Sequence, residues 1–345
     1  MINEITLTNF RCFSKSTFEF TDGINFIIGN NGSGKSSLIE SIYILGRGKS
    51  FRSNYLIDLI QREHKTSFIF ATLNSESLLN LGCQIEKSKL ILKSNGSSVT
   101  KRSSLLDILP LQLITPVSHS LVDSGSSFRR KFIDWGLFHV EHEYRQLWQS
   151  FNRTLKQRNQ ALKNKSNEIK YWDVEFCKYA ESINTFRKDY FLQLESIFSE
   201  VQSSLLENDL ISLTFKSGWN DQIGLQQDLI IHLDRDFYTG WSNVGPHKAD
   251  LKLNFHKSTR NNLSRGQQKM IVFCLQIAQC LHVKEKINKN PIILIDDISA
   301  ELDSIHLEKL LKVISESGFQ AVISAINDQN INQSLLNNRI TVNSR

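Results

Sequence analysis

The run Gly29-Asn30-Asn31-Gly32-Ser33-Gly34-Lys35-Ser36-Ser37 could hold a chain of phosphates. It fits the spacing G-x-x-x-x-G-K-[ST], with Gly29, Gly34, Lys35 and Ser36 in the fixed places. Glycines let successive backbone N–H groups close around phosphate oxygens, and a helix N-terminus adds positive potential. In that setting Lys35 reaches the β- and γ-phosphates and Ser36 holds Mg²⁺. The loop needs a strand before it and a helix after it. Ile24-Asn25-Phe26-Ile27-Ile28 reads as a buried strand, and Leu38-Ile39-Glu40-Ser41-Ile42-Tyr43 as a helix. The first expectation is a P-loop that binds ATP or GTP.

Two further stretches complete the chemistry. The apolar run Ile292 to Ile295 ends in Asp296-Asp297. A continuous apolar run suits a parallel strand covered on both faces, and ligands in open α/β sheets sit at the carboxyl ends of strands. Asp296 is expected in the Mg²⁺ shell, and Asp297 is expected to position or deprotonate the attacking water. The second stretch is Leu263-Ser264-Arg265-Gly266-Gln267-Gln268, at the start of an apolar helix. Ser264 suits a helix N-cap, and the free N–H groups there face outward. Ser264, Gly266 and Gln267 thus offer a second phosphate-binding surface. A chain with one P-loop has no use for it on its own nucleotide. It is expected to serve a second copy, in a homodimer that closes head to tail over two nucleotides.

The elements that must position these residues are of two kinds. Residues 1–138 read as one half of an α/β head, with the P-loop and a β-rich stretch that includes Ser67 to Leu73 and Lys89 to Leu92. Ser94-Asn95-Gly96-Ser97 is a turn, and Pro110 to Pro116 bounds a short strand. Residues 139–207 read as a helical arm. Tyr144, Leu147, Trp148, Phe151, Leu155 and Leu162 recur at helical spacing, as do Trp172, Phe176, Tyr179, Ile183, Phe186, Tyr190, Leu194 and Ile197. Polar Asn164-Lys165-Ser166-Asn167 separates the two helices. The first is about 40 Å long if it runs from 139 to 165. There are no sustained heptads. Residues 208–345 return to α/β and complete the head, with the helix from about Gly266 to Lys286 apolar almost all round.

Charge is placed unevenly. Residues 145–170 hold Arg145, Arg153, Lys156, Arg158, Lys163, Lys165 and Lys170 against one acid, Glu168. This segment accounts for the whole net charge of +6. A local basic stripe on a neutral body suggests either a polyanion partner or a solvated helix face, and Arg153, Lys156 and Arg158 are its candidates for phosphate contact. No apolar run approaches the roughly 20 residues needed to cross a bilayer, and Met1-Ile2-Asn3-Glu4-Ile5 has no signal-peptide character. The five cysteines are scattered without a C-x-x-C pair. A cytoplasmic protein with reduced thiols is expected, without a cysteine zinc site.

With these residues in view, the order of P-loop, arm, L-S-x-G-Q signature and Walker B strand, then Ser299-Ala300-Glu301-Leu302-Asp303 as a D-loop, resembles the SMC-like branch of the ABC-type ATPases. The chain is similar to the RecF family in particular. Asn9-Phe10-Arg11, Gly46-Arg47-Gly48-Lys49-Ser50-Phe51-Arg52, Phe128-Arg129-Arg130-Lys131-Phe132-Ile133-Asp134, Lys156-Gln157-Arg158-Asn159 and Gly245-Pro246-His247-Lys248-Ala249-Asp250-Leu251 all look like RecF. The resemblance covers essentially the whole chain. It implies an ABC-type P-loop ATPase head with a β-rich subdomain and an inserted helical arm. ATP and Mg²⁺ are the implied cofactors. ATP would close the dimer on double-stranded DNA beside single-stranded gaps, with hydrolysis as a weak switch. RecO and RecR are the implied partners, with RecA loading, replication and the SOS response as the setting.

The same resemblance adds candidates and departures. Lys49, Arg52, Arg129 and Arg130 join the DNA-binding set, though Arg129 and Arg130 equally suit the ordering of a loop near the phosphates. His247 and Asp250 suit nucleotide, DNA or packing. Arg265 stands where transporters carry a signature glycine. Asp297 stands where the wider class carries glutamate, and its shorter reach suggests slow hydrolysis. Val117 replaces an acid after Pro116, Gln112 is the Q-loop candidate, and Ala325 to Asn327 take the place of a switch histidine. A transport ATPase is the first rival, but the arm makes the interval from Lys35 to Ser264 too long. A P-loop phosphotransferase has no use for Leu263 to Gln268. A chromosome organiser needs a long coiled coil.

Overall fold

The computed structural model describes residues 1–74, 78–101, 104–206, 211–255, 265–298, 302–326 and 337–342. They form two compact units, Met1–Ser118 with Ser264–Arg345, and His119–Leu263. The sequence puts boundaries after residues 138 and 207, whereas the units divide after 118 and 263. The helix before the arm and the strands after it join the arm because charged hydrogen bonds tie them together, as set out below.

The chain opens with β1 (Ile2–Phe10), β2 (Phe13–Glu19), β3 (Ile24–Ile28), α1 (Lys35–Arg47), β4 (Thr66–Leu73), β5 (Leu79–Glu86), β6 (Leu90–Ser94), β7 (Ser97–Ser98), α2 (Leu105–Ile108) and β8 (Leu111–Ile114). The second unit follows with α3 (Ser120–Asp123), α4 (Ser126–Val140), α5 (His142–Lys163), α6 (Ile169–Leu205), β9 (Ile211–Lys216), α7 (Leu225–Ile231), α8 (Leu233–Thr239) and β10 (Asp250–Phe255). The return to the first unit brings α9 (Arg265–Ile287), β11 (Ile292–Ile295), α10 (Ser304–Glu316), β12 (Ala321–Ala325) and β13 (Asn338–Thr341).

The first unit holds two sheets. One is antiparallel, in the order β2-β1-β4-β5-β6-β7; the other is parallel, in the order β13-β3-β12-β11-β8. Helix α1 packs between them. Its Leu38, Ile39 and Ile42 share one core with Ile5, Ile69 and Ile85 of the first sheet and with Leu294 and Val322 of the second. Strand β11 is hydrogen-bonded on both edges, with Ile295 opposite Ile114 and Ile323, and all four of its residues are buried. The unbroken apolar run predicts that placement. It also fixes where Asp296 and Asp297 emerge.

In the second unit α5 and α6 pack as an antiparallel pair joined by the polar turn at Asn164–Ser166. The length of about 40 Å supposes a helix continuous from 139 to 165. The structure breaks it at Glu141, whose N–H still reaches Leu137 O at 2.9 Å while its backbone turns extended. At 22 residues, α5 is about 33 Å long.

Candidate nucleotide-binding site

Strand β3 ends at Ile28 and the loop begins at once. A Cβ on Gly29 would lie 2.3 Å from Val342 O, so no side chain fits there. Gly34 has φ 113° and caps α1, and a Cβ there would meet the Cys12 sulfur at 2.7 Å. The glycine spacing is thus set by close approach and by left-handed backbone. Lys35 Nζ donates to Gly29 O at 2.6 Å and Asn30 O at 3.0 Å. Its ammonium lies across the loop from which it would reach a phosphate.

The two acids meet the loop at the strand ends. Ser36 Oγ donates to Asp296 Oδ1 at 2.9 Å. Ser324 Oγ, at the end of β12, donates to the same oxygen at 2.8 Å. The Asp297 N–H in turn donates to Ser324 Oγ at 2.8 Å. Asp297 adopts φ 59°, a left-handed turn that is strained for a residue with a Cβ. Lys35, Ser36, Asp297 and Ser324 line one cavity of about 640 Å³ with Asn31, Gly32 and Gly34. Arg11, Arg52 and Arg62 line it too, against the acids Asp58 and Asp297. This is space and charge suited to a polyanion.

Sequence reasoning misses the residue that holds Arg11 and Arg52. Glu40 lies one turn beyond Ser36 on α1 and is fully buried. It accepts Arg11 Nε and Nη2, each at 2.8 Å, and Ser50 Oγ, with Arg52 Nη1 at 3.7 Å. Arg11 also donates to Asp58 O at 2.7 Å. One carboxylate thereby fastens two separate loops to the P-loop helix. Ser324 is missed as well, since a serine closing an apolar strand carries no motif.

Ser264 lies outside the described residues, as do Leu263 and Ser299 to Glu301. Arg265, Gly266 and Gln267 form the first turn of α9. Of the D-loop run, Asp303 caps α10, accepting the His306 N–H at 2.9 Å. Gln112 is buried inside β8 opposite Ile293, so it sits on a strand and not in a loop.

The comparisons with known proteins join this geometry. Residues 1–345 match the RecF/RecN/SMC N terminal domain family. The chain is 38% identical over 339 residues to the DNA replication and repair protein RecF of Shewanella frigidimarina (strain NCIMB 400), covering 97% of this chain and 94% of that protein. The chain belongs to the RecF family. RecF of Shewanella piezotolerans (strain WP3 / JCM 13877) is 37% identical over 341 residues, with the same coverage of 97% and 94%. Among solved structures, the recombination mediator protein RecF-ATPrS in the RecFOR pathway superposes with a TM-score of 0.81 at 23% identity, covering 96% of this chain and 94% of that one. An Smc head domain from Pyrococcus furiosus, bound to the C-terminal domain of ScpA, has a TM-score of 0.62 at 16% identity and covers 100% of this chain and 94% of that one. The chain thus shares its fold with that Smc head.

The remaining RecF-like motifs interlock in the second unit. Arg129 pairs with Asp250 through Nε at 2.8 Å and Nη2 at 3.1 Å. Arg130 Nη1 donates to Ala249 O at 2.7 Å. Arg187 forks onto both oxygens of Asp134 at 2.9 Å each and donates to Pro246 O at 2.7 Å. Residues 128–134 and 245–251 are therefore two halves of one ion network, part-buried at Arg129–Asp250 and buried at Arg187–Asp134. Arg158 is the clear correction. It is fully buried, donating to Asp173 and Asp236 at 2.7 Å each and to Ser242 Oγ at 2.7 Å. A guanidinium so enclosed cannot reach a DNA phosphate. Lys49, Arg52, Arg153 and Lys156 are exposed.

His247 gives this RecF chain an acid sensitivity. Its Nε2–H donates to Ser242 O at 2.8 Å, its Nδ1 has no hydrogen-bond partner, and Phe151 and Phe176 pack beside the ring. Burial lowers its pKa to about 4, and Lys248 and Arg130 add to the effect. Burial and Lys286 do the same to His282 on α9, also to about 4. Both folded values lie below the ordinary value of about 6.5. Between those limits the unfolded chain binds more protons, so stability is full above pH 6.5 and falls as the pH drops toward 4. Each histidine can withdraw about 3 kcal/mol. Urea midpoints taken from pH 7 to pH 4.5 are expected to fall, and His247→Phe to fall less steeply. Equal slopes would count against this account.

Proposed function

We propose that this RecF-family chain is an ATP-switched DNA-binding protein of replication and gap repair. The observation that carries the reading is the chain of contacts Ser36–Asp296–Ser324–Asp297, facing Lys35 in one arginine-lined cavity. Residues Gly29 to Ser36 would wrap the phosphates, with Lys35 exchanging its two carbonyl partners for anionic oxygens. The hydroxyl of Ser36 and the carboxylate of Asp296 are hard oxygen donors at the right separation for Mg²⁺. Such an ion would take its other ligands from phosphate and water. Bound Mg²⁺ would neutralise charge on the β- and γ-phosphates. Asp297 would then hold the attacking water, and its short side chain suits a slow switch.

Closure would bring Ser264, Gly266 and Gln267 of one copy to the nucleotide of the other, so ATP would bind the homodimer together. The closed form would grip double-stranded DNA near single-stranded gaps through exposed Lys49, Arg52, Arg153 and Lys156. Arg129 and Arg130 are committed to Asp250 and Ala249, which favours their loop-ordering role. A solved RecF structure described within the RecFOR pathway supports RecO and RecR as partners; RecA loading would be the outcome. The setting would be cytoplasmic. Among the described residues no helix is long and apolar enough to cross a membrane.

DNA affinity of the full chain, measured with ATP, with ADP and without nucleotide, tests the reading. Tight binding with ATP alone is expected, and equal affinity in the three states would overturn the switch. The same titration repeated across salt tests the arm. Arg153→Ala with Lys156→Ala should flatten the logarithmic salt slope by about 0.9 for each phosphate no longer neutralised. An unchanged slope in a folded variant would assign the stripe to solvent or to a protein.

A further inference from the structure

We propose that the end of the helical arm is a stacking site for unpaired DNA bases, built from Tyr238 and Trp241 with Lys163 against the Trp241 ring. The proposal rests on the DNA-binding reading above and adds to it a place where a single strand is held by its bases.

Tyr238 is 92% exposed and Trp241 is 54% exposed. They lie three residues apart in the chain, at the end of α8 and just beyond it. These two do not hang from a loose loop. Leu233 and Phe237, on the same short helix as Tyr238, pack onto Leu162 and Ile169 at the arm's turn together with Trp172. Behind Trp241, Ser242 is clamped. Its N–H and Oγ donate to Asn159 Oδ1 at 2.9 and 2.8 Å, and buried Arg158 donates to its Oγ. Asn243 Nδ2 donates to Trp241 O at 3.0 Å. The rings are therefore held out on a rigid base, which lowers the ordering cost of binding.

Charge decides the kind of partner. Lys163 Nζ sits 3.8 Å from the centre of the Trp241 ring. It lies on the exposed side of α5 that also carries Arg153 and Lys156. The turn and the start of α6 add exposed Lys165 and Lys170, and these outweigh Glu168 and Asp234. Open aromatic faces interleaved with cations are the means by which proteins hold single strands, since every base has a face to stack and every linkage a phosphate to pair. An apolar protein surface would gain nothing from the lysines. A duplex, with its bases stacked inside, would leave the rings uncovered.

The test compares an oligothymidylate of about 16 nucleotides with an abasic strand of the same length and charge, each titrated against the full chain with ATP. Stacking is worth about 1–3 kcal/mol per base, so Tyr238→Ala and Trp241→Ala should each weaken the oligothymidylate by about 5- to 150-fold. The abasic strand and a blunt duplex should change by less than about twofold, and Trp241→Phe should keep most of the affinity. Tyr238 is so exposed that its replacement leaves the fold intact, which guards against a trivial loss. Oligothymidylate binding that survives both alanine variants overturns the proposal, as does a wild type that holds abasic and base-bearing strands equally. If duplex binding persists in those cases, the DNA-binding reading stands without this site. A wild type that binds no DNA in any nucleotide state overturns both.

Discussion

Lys35→Met should weaken ATP binding by about 100-fold or more, and with it every ATP-dependent property. The ammonium is nearly buried and is held by the carbonyls of Gly29 and Asn30. Among the described residues it is the one lysine lining the cavity, and two of the other cations there are partly spent. Arg11 is forked onto Glu40 and Arg52 leans on the same carboxylate. Removing one partner of a buried charge pair costs about 2–5 kcal/mol, and 3 kcal/mol is already more than 100-fold. Methionine keeps the length and the apolar stem, so the loop and α1 should fold unchanged. Isothermal titration with a slowly hydrolysed ATP analogue gives the number. Affinity within about threefold of wild type would remove Lys35 from the site, and the P-loop reading with it.

How much of this could be read from residues alone depends on the range of the forces involved. The P-loop was legible because its requirements are local. Gly29 and Gly34 answer to contacts within the loop, to Cys12 and to the chain's last strand, and their spacing records it. Strand β11 was legible because burial on both faces writes an unbroken apolar run. Glu40 was not legible. An acid inside an amphipathic helix normally faces water, and this one is buried only because Arg11 and Ser50 arrive from elsewhere in the chain. β13 pairs beside β3 with four residues too short and polar to announce a strand. Arg158 was misread from composition, although a helical wheel carried the warning. Five residues rotate it about 140° from Arg153, onto the side that packs.

Arg158→Met should therefore destabilise the protein by about 3–5 kcal/mol while leaving the salt slope of DNA binding alone. Arg158 is fully buried and so is Asp236. Its guanidinium satisfies Asp236, Asp173 and Ser242 at once. Truncation leaves the Asp236 carboxylate to Asn243, whose N–H and Nδ2 donate at 2.9 and 2.8 Å but carry no charge. The penalty arises from the stranded acid more than from the missing attraction, and that can be separated experimentally. Asp236→Asn in the Arg158→Met background removes the stranded charge, so the double variant should recover about 1–2 kcal/mol of the loss, the usual scale for coupled neighbours. Denaturant midpoints for the four corners of this cycle give the coupling directly. Additive losses would mean that the two residues do not share a buried ion pair. A salt slope lowered by Arg158→Met in protein that is still folded would return Arg158 to the DNA-contacting stripe and contradict its place in the core.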